Sequence, residues 1–122
     1  SMSPTIMTQD GKVNLVIGTP GGSRIFTSIF QVINNLYDYN LPLQQAVDAQ
    51  RFHHQLLPKD VIYYDDFAPI TGEVAAKLTA MGYKVEDQGW RLGDIQAIQV
   101  KDGKVAAASD RRGRGHNAVI QP

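Results

Sequence analysis

The order of apolar and polar positions divides the chain into short strands and amphipathic helices. Short apolar runs bounded by turn-forming residues predict strands. These runs lie at residues 5–8, 12–18, 61–65, 83–87, 95–100 and 105–109. Asp-Gly pairs at residues 10–11 and 102–103 separate neighbouring runs. Because Asp-Gly favours the type I′ turn, in which both central residues have positive φ, we expect two hairpins and mainly antiparallel pairing.

A period of about 3.6 residues marks the helices. Over residues 23–37 the apolar positions at this spacing are Ile25, Ile29, Val32, Ile33 and Leu36, with Phe26 and Phe30 widening the stripe. A stripe this broad predicts a helix packed on more than one side. A shorter helix is expected from Pro42, as its first residue, to about Ala49. A third is expected over residues 69–82, with Gly82 just beyond its end. The mixture predicts an α/β fold.

Length and charge narrow the class of protein. The 122 residues fit one domain, residues 1–122. Lysine plus arginine and aspartate plus glutamate are 12 each, so the formal net charge is zero. This balance gives no general attraction to nucleic acid or to an anionic membrane. The chain has no cysteine, which excludes disulfides and cysteine-based metal sites. No apolar run reaches the ~18 residues of a membrane span.

The sequence TPGGSRIF, residues 19–26, places Gly21 and Gly22 where a predicted strand meets a predicted helix. Three hypotheses explain the pair. The glycines relieve strain in a tight turn. Alternatively, they let an anion approach the helix N-terminus, with Arg24 adding charge. Or their N–H groups form an oxyanion hole, which stabilises the oxygen that turns negative when an acyl carbonyl is attacked. The stretch matches neither G-x-G-x-x-G nor G-x-x-x-x-G-K-[ST], the glycine patterns of nucleotide-binding loops. Spacing alone does not choose between an anion site and an oxyanion hole.

Three other clusters have a chemical and a structural interpretation. His53 and His54 would point to opposite faces of a strand, so they are expected to have a structural role rather than to share a metal. Asp65 and Asp66 resemble an acid–base pair, but adjacent extended residues diverge, so solvated carboxylates are expected. The run RRGRGH, residues 111–116, resembles a nucleic-acid patch. With a neutral total charge, a solvated loop or a salt-bridged lid is expected instead.

Four blocks together resemble a known family. They are SMSPTI (1–6), GTPGGSRI (18–25), AVDAQRFHHQ (46–55) and AASDRRGRG (107–115). Their order and spacing resemble the C-terminal part of the small subunit of γ-glutamyltranspeptidases, over essentially the whole chain. The resemblance implies part of an N-terminal-nucleophile hydrolase fold, a four-layer αββα sandwich with mainly antiparallel sheets, made by autocleavage of a precursor. Gln50 and Arg111 depart from it, since the family usually has proline at both positions.

The resemblance also implies a reaction. A threonine, activated by its own α-amino group, takes the acyl group of a γ-glutamyl amide such as glutathione. The acyl-enzyme then transfers it to water or to the amine of an amino acid or peptide. Gly21 and Gly22 match the family's oxyanion pair. Ser1 matches the second of two serines that hold the substrate α-carboxylate, and Ser3 is expected to be structural. The nucleophile lies upstream in the family, so this chain is expected to lack it and to be inactive alone.

Partners and alternatives follow from the same resemblance. The expected partners are the remainder of the small subunit and the large subunit; no cofactor, metal, nucleic acid or membrane is expected. Strand edges and helix faces that those parts would cover should be bare in the isolated chain. Because bare edges and apolar faces favour association with another chain, we expect the isolated chain to form a two-fold dimer. The alternatives are a related acylase, such as a cephalosporin acylase, or a non-catalytic binding or structural domain. Bacterial members of the family are commonly exported, while the residues themselves leave the compartment open.

Overall fold

A computed structural model describes residues 2–120. The elements in this part of the chain are β1 (Thr5–Gln9), β2 (Lys12–Gly18), a 3-10 turn (Gly22–Arg24), α1 (Ile25–Tyr37), α2 (Leu43–Asp48), β3 (Val61–Tyr64), α3 (Gly72–Ala80), β4 (Lys84–Asp87), β5 (Gln96–Lys101) and β6 (Lys104–Ser109). Every predicted strand and helix is therefore present, with ends shifted by a few residues. The chain divides into two compact units, one of residues up to Ala49 and from Gly93 onward, the other Gln50–Leu92. That the chain forms one domain stays a prediction.

The first unit contains a four-stranded antiparallel sheet in the order β1-β2-β5-β6. Both predicted hairpins are confirmed. At their tips Asp10 and Gly11 have φ of 52° and 74°, and Asp102 and Gly103 have φ of 52° and 73°. These positive values are the type I′ requirement that made Asp-Gly informative. The mixed α/β class with a mainly antiparallel sheet is thus confirmed.

The core of the first unit lies between its sheet and one side of its helices. Its buried members are Leu15, Ile17, Ile25, Ile29, Val32, Leu36, Leu43, Ala46, Val47, Ile95, Ala97 and Ala108. Phe26 and Phe30, on another side of α1, are 69% and 66% exposed. Within residues 2–120, α1 is therefore covered along one stripe, and the side that carries Phe26 and Phe30 is bare, as expected for a face that other parts of the protein would cover. That α1 packs on more than one side stays a prediction for the intact protein.

Two helix starts differ from the prediction. Pro42 is the N-cap of α2, with φ −56° and ψ 149°, and is not its first helical residue. Its ring fixes φ near the helical value but leaves ψ free to be extended. Helix α3 begins at Gly72, after an extended Thr71, rather than at residue 69. Its end is as expected, since Gly82 follows the C-cap Met81 with φ 100°.

The second unit is built differently. Strands β3 and β4 pair in parallel, with Val61 opposite Lys84, and α3 connects them. A helix between two paired strands returns the chain to the same end of the sheet, which makes the pair parallel. This pair is an exception to the antiparallel expectation. Its buried apolar side chains are Val61, Ile62, Ile70 and Leu92. Over residues 2–120, no helix has the length and apolar character that crossing a membrane requires.

Candidate functional site

Residues 19–24, here called the glycine loop, connect β2 to α1 in the first unit. Gly21 has φ 143° and Gly22 has φ 59°, values that side-chain-bearing L residues rarely adopt. Both glycines are exposed. A Cβ atom built on Gly22 would meet no heavy atom within 4 Å. The turn therefore requires glycine for its backbone, and the space beside Gly22 is open.

The two glycine N–H groups are available for binding. Within residues 2–120, neither the Gly21 nor the Gly22 amide nitrogen has a hydrogen-bond acceptor. A helix leaves its first N–H groups unpaired, and the 3-10 turn here starts at Gly22. The carbonyl groups of the loop are occupied, because Gly21 O accepts from Arg24 N at 3.1 Å and Gly22 O accepts from Ile25 N. Adjacent free donors on an exposed loop are what an oxyanion hole needs.

A buried threonine anchors the start of the loop. Thr19 is 0% exposed. Its backbone nitrogen donates to Met2 O at 3.1 Å. Its hydroxyl donates to Pro20 O at 2.8 Å and accepts from the Asp94 nitrogen at 2.7 Å. Thr19 thus connects the glycine loop to the segment before β1 and to the segment before β5. Thr19 lies within the TPGGSRIF stretch, but sequence patterns assigned its side chain no role, and no sequence motif marked Asp94.

A short polar network continues from Asp94. The Gln96 side-chain amide donates to Asp94 Oδ1 at 2.9 Å, and the Ser109 hydroxyl donates to Gln96 Oε1 at 2.7 Å. A side chain at Gly113 would overlap the Asp94 carboxylate. The C-terminal loop therefore lies directly on the network that holds the glycine loop, and glycine at position 113 permits the contact.

Known proteins share this arrangement of elements. The model of the γ-glutamyltranspeptidase family matches residues 1–120. The chain belongs to this family. It is 67% identical, over its whole length, to a glutathione hydrolase proenzyme of Pseudomonas aeruginosa strain PAO1, and it spans 22% of that protein.

Two solved γ-glutamyltranspeptidases have the same fold. The enzyme from Pseudomonas nitroreducens complexed with L-DON superposes with a TM-score of 0.96 and 67% identity, covering 99% of this chain and 63% of that one. The Helicobacter pylori T380A mutant superposes with a TM-score of 0.82 and 44% identity, covering 93% and 61%. These matches confirm the family and the fold class. The oxyanion roles of Gly21 and Gly22 stay predictions, and Ser1 lies outside the described residues.

Residues 51–55, here called the histidine block, make internal contacts. Arg51 is 0% exposed, and its Nε donates to Leu92 O at 2.8 Å. The backbone of His53 exchanges hydrogen bonds of 2.9 and 2.8 Å with Tyr63, and its ring nitrogen lies 2.6 Å from Gln55 Oε1. In the part of the chain that the structure describes, no group of three or more His, Asp or Glu side chains is placed to hold a metal. This geometry agrees with the structural role expected for the block.

The adjacent aspartates have different environments. Asp65 is 0% exposed, and its carboxylate accepts from Leu92 N at 2.8 Å and from Ala68 N at 3.3 Å. Asp66 is exposed and lies 2.6 Å from Arg91 Nε. The expectation that both carboxylates are solvated is wrong for Asp65, because backbone N–H groups satisfy it inside the unit. The two side chains diverge as expected, so they form no acid–base pair.

The arginine-rich tail is a loop, as predicted, but its residues are not equivalent. Arg112 is buried and donates to Ala49 O at 2.9 Å, and its Nη1 lies 3.4 Å from the Asp110 carboxylate. Arg111 is exposed and pairs with Asp48 at 3.3 Å. The solvated alternative is therefore wrong for Arg112, whose guanidinium fastens the tail to the end of α2. Because Arg112 is buried, it is not available to a basic surface patch that could bind nucleic acid.

Proposed function

We propose that this chain is the part of a γ-glutamyltransferase and glutathione hydrolase that supplies the oxyanion hole. The observation that carries the proposal is the pair of adjacent N–H groups of the exposed Gly21 and Gly22, which have no hydrogen-bond acceptor within residues 2–120. Family membership supports the chemistry, since the relative that is 67% identical is named a glutathione hydrolase. The chain spans about a fifth of that protein, so the proposed activity belongs to the intact enzyme.

In the proposed reaction, a threonine hydroxyl outside this chain attacks the carbonyl carbon of a γ-glutamyl amide. The carbonyl oxygen becomes negative and accepts hydrogen bonds from the two glycine N–H groups. The C–N bond then breaks, the amine leaves with a proton, and the γ-glutamyl group remains as an ester on the threonine. Water or a second amine takes that group in the next step. One donor of this kind lowers the barrier by about 3–4 kcal/mol.

The nucleophile is proposed to lie elsewhere because the family resemblance places it upstream and because three of the chain's own threonine hydroxyls are already hydrogen-bonded. An attacking threonine needs a neighbouring base. The Thr19 hydroxyl is buried and already bonded to Pro20 and Asp94. The Thr27 hydroxyl donates to Arg24 O and the Thr79 hydroxyl donates to Ala75 O. We therefore propose that the remainder of the small subunit supplies the nucleophile and that the large subunit completes the substrate site.

The test uses the intact enzyme and two amides of similar size. Release of the amine from a γ-glutamyl anilide, with no release from a cephalosporin side-chain amide, is the expected result. The reverse preference would support the related acylase instead. Failure to release either amine, from a folded and matured enzyme, would support a non-catalytic domain of the same fold.

For the isolated chain we propose self-association as a two-fold dimer. In the first unit Phe26, Phe30 and Ile6 are 69%, 66% and 63% exposed, and β1 and β6 are the edges of its sheet. Exposed apolar patches and open strand edges both favour association with another chain, and two-fold symmetry is the commonest closed arrangement. Sedimentation equilibrium at micromolar concentration tests this. A monomer of 13.4 kDa would contradict it.

A further inference from the structure

Each of the two free N–H groups belongs to a peptide whose carbonyl is fixed by a hydrogen bond. We propose that Thr19 is a positioning residue, whose side chain aims the Gly21 N–H at the reacting oxygen. The inference rests on the proposed function, because it assumes that Gly21 and Gly22 form the oxyanion hole. It gives a role to Thr19, a residue of the GTPGGSRI block to which neither the family resemblance nor the sequence assigned one.

The argument begins with the geometry of the peptide between Pro20 and Gly21. A peptide unit is planar, and in the trans form its C=O and N–H point in opposite directions. The carbonyl of this unit is Pro20 O, which accepts from the Thr19 hydroxyl at 2.8 Å. The N–H of the same unit is that of Gly21. Holding Pro20 O therefore fixes the direction of the Gly21 N–H, without any contact between Thr19 and a substrate.

The Thr19 hydroxyl is itself held. It accepts from the Asp94 nitrogen at 2.7 Å, so its proton is left to donate to Pro20. The side chain is 0% exposed, and a Cβ atom on Gly93 would lie 2.9 Å from its oxygen. Because both its hydrogen bonds are made to backbone groups inside the unit, the hydroxyl is held in one direction. Water is excluded from it, so a lost bond cannot readily be replaced.

The Gly22 donor is fixed by a different means. Its peptide carbonyl, Gly21 O, accepts from the backbone nitrogen of Arg24 at 3.1 Å. That bond belongs to the 3-10 turn and does not depend on a side chain. Substitution at Thr19 should therefore disturb one donor and leave the other in place. The expected loss is smaller than the loss from removing an oxyanion donor.

The experiment compares Thr19→Val with Thr19→Ser in the intact, matured enzyme. Valine keeps the shape and removes the hydroxyl, whereas serine keeps the hydroxyl. We measure the rate of amine release in a single turnover, the KM for a γ-glutamyl anilide and the free energy of unfolding. Thr19→Val should slow acylation about 10-fold or more, below the 10²–10³ of a lost donor. KM should change little, because the proposed donor acts on the transition state. Thr19→Ser should restore most of the rate.

The control is Val32→Ala, which removes buried volume from α1 in the same core and takes no part in the hydrogen bonds that join Thr19, Pro20 and Asp94. It should lower stability and leave the acylation rate of the folded enzyme unchanged. If Thr19→Val does not fold, Thr19→Cys, whose thiol is a weak donor, makes the same comparison. A wild-type rate for the valine or cysteine variant overturns the inference. So does an equal loss in the serine variant or in Val32→Ala. An inactive wild-type enzyme would instead overturn the proposed function.

Discussion

The glycine loop, residues 19–24, and the histidine block, residues 51–55, are both dense in polar groups, yet they differ in where those groups lie. In the glycine loop Gly21 and Gly22 are exposed, and among the described residues their N–H groups have no acceptor, while the buried Thr19 holds the start of the loop. In the histidine block Arg51 and His53 are buried, and they make hydrogen bonds to Leu92, Tyr63 and Gln55 within the second unit.

The difference separates two uses of polarity. A buried polar group that is fully paired stabilises a fold and has little left to offer a ligand. A donor that is exposed, unpaired and held in one direction is available without reorganisation when charge develops beside it. The residue types of the histidine block are those of catalysis, but its contacts are those of a scaffold. The glycines have no side-chain chemistry at all, yet they carry the candidate site.

The largest expected effect is the inactivity of the isolated chain. It contains the glycine loop and the histidine block but, as proposed, no activated nucleophile, so it should release no amine from a γ-glutamyl anilide. The measurement compares the chain with the intact enzyme at equal molar concentration, after circular dichroism has shown that the chain is folded. Turnover that disappears when one of the chain's own threonines or serines is replaced would contradict the proposal.

The next effect sharpens the functional side of the comparison. In the intact enzyme, Gly22→Ala should lower kcat by about 10²–10³, because a methyl group beside the donor displaces the acyl oxygen. Gly103→Ala is the matched control, since Gly103 has φ 73° and equally open space at the tip of a hairpin. Both variants should lose a similar stability, about 1–2 kcal/mol for positive φ. If kcat is the same in both, the glycines serve only the turn.

For Arg51→Met in the histidine block we expect the opposite result, a loss of stability with little change in kcat. Replacing the guanidinium removes the donor that lies 2.8 Å from Leu92 O, in a position that is almost fully buried. Losing a buried hydrogen bond of this kind costs about 1–3 kcal/mol. Denaturation of the intact enzyme should show that loss, while kcat of the folded fraction stays within about twofold. A loss of kcat at unchanged stability would place Arg51 in the catalytic machinery and remove the contrast between the two regions.

The sequence predicted the elements well because their signals are local. The Asp-Gly pairs set the hairpin tips, and the 3.6-residue period set α1. The parallel pairing of β3 with β4 was missed, because a short apolar run predicts a strand but not whether it pairs in parallel or antiparallel. The late start of α3 was missed as well, since Thr71 extends the chain before the first helical residue.

Only part of the candidate site could be predicted from the sequence, because the rest depends on contacts between residues that are distant along the chain. Gly21 and Gly22 stand out locally, and the family resemblance gave them a role. Thr19 and Asp94 do not, because their bond joins residues 75 positions apart. The burial of Asp65 and Arg112 is also set by distant partners, Leu92 and Ala49. Local spacing predicts the secondary structure of a residue and the face on which its side chain lies, whereas contacts with residues distant in sequence determine whether that side chain is buried.

The smallest effect divides two adjacent carboxylates within the second unit. Asp66→Asn removes a charge that is 63% exposed and paired with Arg91 at 2.6 Å. Exposed ion pairs contribute about 0–1 kcal/mol, because water screens the attraction and both side chains lose freedom. Asp65→Asn, at a site that is 0% exposed, should cost more, about 1–3 kcal/mol, because an amide oxygen and an NH₂ replace two acceptors facing the Leu92 and Ala68 nitrogens. Urea denaturation of the intact enzyme measures both. Equal losses in the free energy of unfolding would show that burial does not determine how much these contacts stabilise the protein. The distinction between buried, paired polar groups and exposed groups available to a ligand would then lose its physical basis.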